Sequence, residues 1–438
     1  MVLVRRPNGG ANVRVEDLIL VSVDDHAVEP PDLFKGRLPS RYADRAPRIV
    51  HTEAGDDVWE FEGTQIPNIG LNAVAGRPSE EYGIDPTSFD EMRRGCWDVH
   101  ERVKDMSAGG VLASMNFPSF PSFSGRLFAN SPDKDLAVAV VRAYNDWHIE
   151  GWAGAYPDRF IPMAIPIIWD PLLAADEVRR VAAKGCHSLS FTENPATLGL
   201  PSFHSEHWDP LWQALVDTDS ILNIHLGSSG KVTVTAPDAP IDVMMSLQPM
   251  NICIAAADLL WSRVFRNYPA LKVALSEGGT GWIPYFLDRL DRVYDRHHVW
   301  TGQDFDGLKP SQVFKKHFIT CFITDPVGIQ HRHDIGVENI CWELDYPHSD
   351  SEWPHAPEEF IKTCEQYDVP DDEINAISHE NAMRHYHFDP FSIRPKAQST
   401  VGALRSEVAD HNIATRSYDK GRHHTKSGTT MDQLMPTS

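Results

Sequence analysis

Residues 18–26 read Leu-Ile-Leu-Val-Ser-Val-Asp-Asp-His. A short apolar run rich in branched residues and ending in ionisable ones has the pattern of a buried strand with a working end. Side chains two apart on a strand share a face, so Asp24 and His26 project together and Asp25 points the other way. Comparable runs recur at 110–117, 160–168, 187–193, 221–226, 272–277, 317–323 and 340–345. Helix-like stretches lie between or after them, at 136–154, 171–184, 209–217, 252–266, 283–296 and 357–367. Strand followed by helix, repeated to eight strands, predicts an α/β fold, specifically a (β/α)8 TIM-type barrel.

The segment 30–107 separates the first two strands and is rich in turn residues, with an alternating stretch at 58–62 that predicts a small hairpin. In a barrel such an insert is expected to act as a lid over the mouth. A second excursion, 227–249, follows the fifth strand. The chain therefore divides into a barrel domain, 1–395, with its insert, and a polar tail, 396–438, expected to be disordered or an arm ordered by a partner.

Composition limits the function classes. The 438 residues are 42% hydrophobic and 23% charged, enough for a large core. The 62 acidic residues against 40 basic ones give a formal charge of −22, which leaves no basic surface for nucleic acid. The amino-terminal residues lack the apolar segment of a secretory signal, and no run approaching a membrane span stands out, so the expectation is a cytoplasmic protein with no membrane partner. Cys96, Cys186, Cys253, Cys321, Cys341 and Cys364 have no CxxC spacing and read as free thiols.

The chemistry is expected at the strand ends. Besides Asp24 and His26, the fourth, fifth, sixth and eighth strands close on Glu193, His225, Glu277 and Asp345. Barrel enzymes keep their sites at these carboxyl-terminal ends. A charged group ending a buried strand is costly unless it is paired or binds metal. Several converging on one mouth point to a metal site.

Five segments carry a resemblance: Asp24-Asp25-His26-Ala27-Val28-Glu29-Pro30, Glu193-Asn194-Pro195, His225-Leu226-Gly227-Ser228-Ser229, residues 276–284 around Glu277, and Asp345-Tyr346-Pro347-His348-Ser349-Asp350. They resemble the amidohydrolase-2 branch of the amidohydrolase superfamily, to which aminocarboxymuconate-semialdehyde decarboxylase also belongs, over residues 18–389. The resemblance implies Asp24 and His26 as first-strand ligands, His225 as the fifth-strand ligand and Asp345 as the eighth-strand ligand. Two positions depart from the simple pattern. Glu277 replaces a common histidine, and Glu193 stands where dinuclear relatives place a bridging group.

Asp24, Glu193, Glu277 and Asp345 with His26 and His225 offer four carboxylates and two imidazoles, a donor set that favours iron or manganese over zinc. This is similar to non-haem dinuclear monooxygenases with the amidohydrolase fold, a group that includes a platensimycin-pathway hydroxylase and an aminoisobutyrate hydroxylase. The leading expectation is therefore an oxygenase that uses two metal ions, iron first, to hydroxylate an aliphatic C–H bond of a small molecule. It needs an external electron donor, and its expected catalytic residues are Asp345, His348 and Glu193. The alternatives are a metal-dependent hydrolase or decarboxylase, with Asp345 managing the proton, and a non-catalytic homologous subunit of a heteromer. A homo- or hetero-oligomer is expected in each case.

Other residues read in two ways. Glu29 either supports the site or forms a salt bridge, or else binds substrate. His204 and His207 either reach the site or cap and pack a helix. Residues 227–230 are either donors to a substrate carboxylate or a flexible turn. His297, His298, His423 and His424 read as surface or tail residues, and residues 282–286 and 380–386 as packing elements.

Overall fold

The computed structural model describes residues 13–418, apart from residues 68, 69, 71, 84 and 85. Its strands are β1 (Val21–Ala27), β2 (Arg48–His51), β3 (Asp57–Phe61), β4 (Thr64–Ile66), β5 (Ala113–Pro118), β6 (Phe160–Ile161), β7 (Ser188–Thr192), β8 (Ile221–His225), β9 (Val273–Ser276), β10 (Phe318–Phe322) and β11 (Ile340–Trp342). Each of the eight runs expected as strands overlaps one of them. The parallel strands are buried along their whole length, as when both faces of a sheet are covered, which is why each reads as an apolar run rather than an alternation.

The parallel strands form two sheets, β1-β5-β6 and β11-β10-β9-β8-β7. Backbone bonds continue past both edges. Ala164, beyond β6, donates to the Ser188 carbonyl at 3.0 Å and accepts from Ser190 at 2.9 Å. Beyond β11, the Asp345 amide donates to the Asp24 carbonyl, and the His26 amide to the Tyr346 carbonyl, each at 2.7 Å. The end of β11 is thereby fastened to β1, bringing residues more than three hundred positions apart into one site.

Helices cover the sheets. Asp98, Asp133 and Asp170 cap the helices Val99–Gly109, Lys134–Asp146 and Pro171–Ala182 by accepting from their first free amides. Each such cap is worth about 1 kcal/mol. The stretch Ile241–Trp261 is apolar and long enough to cross a membrane, with a mean hydropathy of 1.4, contrary to the expectation that no such run exists. Here it is the helices Ile241–Leu247 and Met250–Trp261, the second sending Ile252, Ala255, Ala256, Leu259 and Leu260 into the core.

The insert is more than a hairpin. β2, β3 and β4 form an antiparallel sheet, and Glu62-Gly63, both at positive φ (50° and 79°), make the two-residue turn between β3 and β4. Trp59 of β3 stacks on Phe120, beyond β5, with ring centroids 4.3 Å apart. The amides of Val74 and Ala75 donate to the Pro347 carbonyl at 2.9 and 3.0 Å. The insert thus touches the segments that follow both β5 and β11.

The expected disordered or partner-bound tail requires correction as far as Tyr418. The helix Val401–Glu407 buries Val401 and Leu404 completely, and the Val401 amide donates to the Leu18 carbonyl at 2.8 Å. Beyond it, His411 Nε2 meets Asp105 Oδ1 at 2.7 Å and Arg93 donates to the Asn412 carbonyl at 2.9 Å. Two apolar residues three apart are too short a signal to stand out in a polar stretch. Residues 419–438, with His423 and His424, lie outside the described residues. The six cysteines are free, as expected.

Candidate metal centre

β1 carries the first two donors as its period of two requires. Asp24 and His26 face inward, while Asp25 turns back to accept from Ser22 Oγ at 3.0 Å and from the Tyr346 amide at 3.2 Å. The register of β1 against β5 shifts between Ser22 and Asp25, the local irregularity that re-aims a strand end. β8 ends on His225, whose Nδ1 donates to the Leu226 carbonyl at 2.6 Å. That bond fixes the proton on Nδ1 and leaves the Nε2 lone pair free, the usual arrangement of a ligating histidine. Glu277 and Asp345 follow β9 and β11 at positive φ, 55° and 59°, a conformation that costs non-glycine residues about 1 kcal/mol and concentrates at functional sites.

These donors meet. His26 Nε2 lies 3.1 Å from Asp345 Oδ1 and 3.6 Å from Asp24 Oδ1. His225 Nε2 lies 3.3 Å from Asp24 Oδ2 and 3.5 Å from Glu277 Oε2. His348 Nδ1 is 2.9 Å from Asp345 Oδ1, and its ring stacks on His26 with centroids 3.8 Å apart. Two overlapping groups therefore offer ligand atoms within 4.8 Å of one another: Asp24, His26 and His225, and His26, Asp345 and His348.

Both carboxylate oxygens of Asp24 and of Asp345, and Nε2 of His26 and of His225, are buried without a hydrogen-bond partner. Leaving one such atom unpaired costs about 1–3 kcal/mol, and more when it is charged. Burial pushes Asp24 well above the usual carboxylate range, and Asp345 and Asp25 push it further. Glu277 rises for the same reason, with Asp345 and Asp24 adding to burial. Burial lowers His225 to about 4 and takes His26 well below its ordinary value, so both imidazoles are neutral. Asp345 differs, because the adjacent His348 and His26 outweigh its burial and hold it below the usual range. Neutral imidazoles among carboxylates that lack a counter-charge are the chemistry that a divalent cation satisfies.

The residues picked out in the sequence separate into two sets. Asp24, His26, His225, Asp345 and His348 converge, with Glu277 at their edge. Glu193 does not join them. Its Oε1 accepts from Ser229 Oγ at 2.6 Å and its backbone amide donates to Ser228 Oγ at 2.7 Å, so the serines of the loop after β8 hold it. Among the described residues it belongs to neither group of convergent donors, and the expected bridge between two ions is not placed as one.

Glu29 is also removed from the chemistry. It accepts from the Ser119 and Phe120 amides at 3.0 and 2.7 Å and from Tyr144 Oη at 3.0 Å, which pins the segment after β5. His204 pairs with Asp258 at 2.6 Å, and the loop at 227–230 serves Glu193 rather than a substrate carboxylate.

Three contributors were missed in the sequence. Glu343 is fully buried, and its Oε2 accepts from the Glu277 amide at 3.2 Å, which sets that residue's turn. Its signal was present, since it is an ionisable residue two positions before Asp345 at the end of the same apolar run. Phe117 and Phe123 lie against His225 with centroids 4.6 and 4.1 Å away, and only the first sits on a strand whose face could be read.

The amidohydrolase profile matches residues 43–388. The chain belongs to the amidohydrolase family. Solved structures agree with its fold. An amidohydrolase from Mycobacterium avium subsp. paratuberculosis K-10 is 20% identical with a TM-score of 0.64, covering 84% of this chain and 99% of its own. The 5-carboxyvanillate decarboxylase LigW from Sphingomonas paucimobilis is 21% identical with a TM-score of 0.59, covering 85% and 100%. A dihydroxybenzoic acid decarboxylase from Polaromonas sp. JS666, holding manganese and the inhibitor 2-nitroresorcinol, is 18% identical with a TM-score of 0.54, covering 86% and 98%. No curated protein matches this amidohydrolase by sequence.

These likenesses overturn the expected aliphatic hydroxylase. Solved structures that share the fold include decarboxylases and an amidohydrolase, and one oxygen of the glutamate expected to bridge two ions is engaged by Ser229.

Proposed function

We propose that this amidohydrolase is a metal-dependent carboxy-lyase that removes CO2 from an aromatic carboxylic acid. The observation that carries the proposal is the convergence of buried, unpartnered donors from Asp24, His26, His225 and Asp345. We assign these four side chains to one divalent cation, with Glu277 as a further oxygen beside His225. Two or three carboxylates with two imidazoles suit manganese or zinc, and manganese is the ion in the Polaromonas decarboxylase. The two parallel sheets are taken as one closed eight-stranded barrel, supported by the backbone bonds at Ala164 and Asp345, with the insert at 30–107 as its lid.

A cation bound there supplies positive charge that orients the substrate's oxygens and stabilises negative charge as it grows on the ring. The rest falls to the protein. The electron pair of the breaking C–C bond stays on the ring carbon, that carbon takes a proton, and CO2 leaves. The pair formed by Asp345 Oδ1 and His348 Nδ1, 2.9 Å apart, is placed to hold this proton between them and pass it. His348 is the more exposed of the two, 15% against 1%, and connects the buried carboxylate to solvent. Phe117 and Phe123 make an aromatic wall around His225 and exclude water from that side.

A hydrolytic reading uses the same residues. It is favoured by Asp345 being held ionised by its histidine neighbours, the state a base for water requires. The two are separated by incubating manganese-loaded protein with hydroxy- and methoxybenzoates while measuring CO2, and in parallel with aryl amides and esters. Metal-dependent CO2 release supports the lyase, and amide or ester cleavage without it supports the hydrolase. Protein that retains no divalent metal overturns both.

A further inference from the structure

The second fate of a strand-end carboxylate leaves something unused. Glu193 is 2% exposed, and Ser229 satisfies only its Oε1. Its Oε2 is buried without a hydrogen-bond partner. Glu193 also lines a cavity of about 550 Å³ between the segment after β7, the loop after β8 and the helix Met250–Trp261. A volume of a few hundred cubic ångströms with one apolar wall and a few convergent polar groups is the anatomy of a small-molecule site. Here Ile254, Ala255 and Trp261 supply the apolar wall.

We propose that this cavity binds a protonated amine carried on a small apolar body, with the Glu193 carboxylate, which lines it, receiving the ammonium group. A neutral donor would complete the hydrogen bonding yet leave a buried negative charge, whereas a cation removes both deficits. The surroundings favour a cation too. The formal charge of −22 concentrates cations near the protein, and the other carboxylate of the wall, Asp258, is already paired with His204 at 2.6 Å. Lys231 also lines the cavity but is exposed there and leaves Oε2 unpaired.

The position gives such a site meaning for a substrate. Thr192, next to Glu193, pairs with His225 across β7 and β8. Ser228 Oγ accepts from the Glu193 amide and donates to the His225 carbonyl, at 2.7 and 2.6 Å. An amine held by Glu193 therefore sits one strand away from the candidate metal centre. The inference goes beyond the proposed reaction and does not depend on it, because binding can be read on metal-free protein.

The test is calorimetric titration of metal-free and manganese-loaded full-length protein with benzylamine, and with benzyl alcohol as its neutral counterpart. Benzylamine is expected to bind at least about tenfold more tightly than benzyl alcohol, in both metal states. Glu193→Gln keeps an acceptor for Ser229 but removes the charge, and is expected to erase that preference without weakening benzyl alcohol. Ile254→Arg, at a position 57% exposed and so tolerant of the change, places a competing cation at the cavity and is expected to abolish amine binding. Absence of benzylamine binding, equal affinity for the two probes, or an unchanged preference in folded Glu193→Gln protein would each overturn the proposal.

Discussion

Asp24 and Glu193 both stand at the working end of a buried parallel strand, and both are nearly inaccessible to solvent, yet their surroundings are opposite. Asp24 has two unpartnered oxygens facing His26 and His225, whereas Glu193 has one oxygen saturated by Ser229. The difference teaches that strand position alone does not make a carboxylate a metal ligand. What differs is how many oxygens the neighbouring loop engages: the serines after β8 hold one oxygen of Glu193 and leave Oε2 open, whereas both oxygens of Asp24 are left to be met from outside.

The largest expected effect lies on the Asp24 side. Asp345→Asn keeps the shape of the side chain but removes the proton carrier, and is expected to lower the proposed metal-dependent turnover by about 10²–10⁴-fold. The loss should persist after metal loading. Steady-state CO2 release checks it, and near-normal turnover would remove Asp345 from the proton path.

Stability should divide the two regions next. At a manganese concentration about 100 times its dissociation constant, the native protein should gain about 2.7 kcal/mol. Asp24→Asn should lose that gain and Glu193→Ala should keep it, as read from melting with and without the ion. A fall in metal stabilisation for Glu193→Ala would return that residue to the centre.

The pH dependence follows from the same asymmetry. Burial raises Asp24, Glu277 and Glu343 in the folded state above their unfolded values, so metal-free folding favours their protonated forms. Stability from this source is present at acid pH and is lost as pH rises through and beyond the ordinary carboxylate range. The buried histidines His26 and His225 act oppositely, losing stability as pH falls below about 6.5, so the carboxylate effect is read above that value: metal-free protein should melt at a lower temperature at about pH 9 than at about pH 7, and manganese should shrink the difference. Melting curves across that range check the sign.

The smallest effect belongs to the other side. Glu193→Ala leaves Ser229 without its acceptor and should cost about 1 kcal/mol of folding stability, measured by denaturant unfolding.

Much of this was legible in the sequence because parallel strands buried on both faces must be apolar throughout, and such runs stand out at 18–26 and 221–226. Asp24, His26, His225 and Asp345 were legible for a related reason, since ionisable groups closing apolar runs are rare unless they have work to do. Glu193 matched them in that signal, and its fate depended on Ser229, 36 residues away along the chain. Glu343 lay hidden behind Asp345 although it closes the same apolar run. The packed arm through Tyr418 was obscured because two apolar residues, Val401 and Leu404, hold it amid polar neighbours.

The most direct test is the metal content of manganese-loaded protein after exhaustive removal of free ion, measured for native, Asp24→Asn and Glu193→Ala chains. One ion per chain in the native protein, none in Asp24→Asn and one in Glu193→Ala is the expected result. Two ions per native chain, or an ion retained by Asp24→Asn and lost by Glu193→Ala, would contradict the single centre at Asp24, His26, His225 and Asp345.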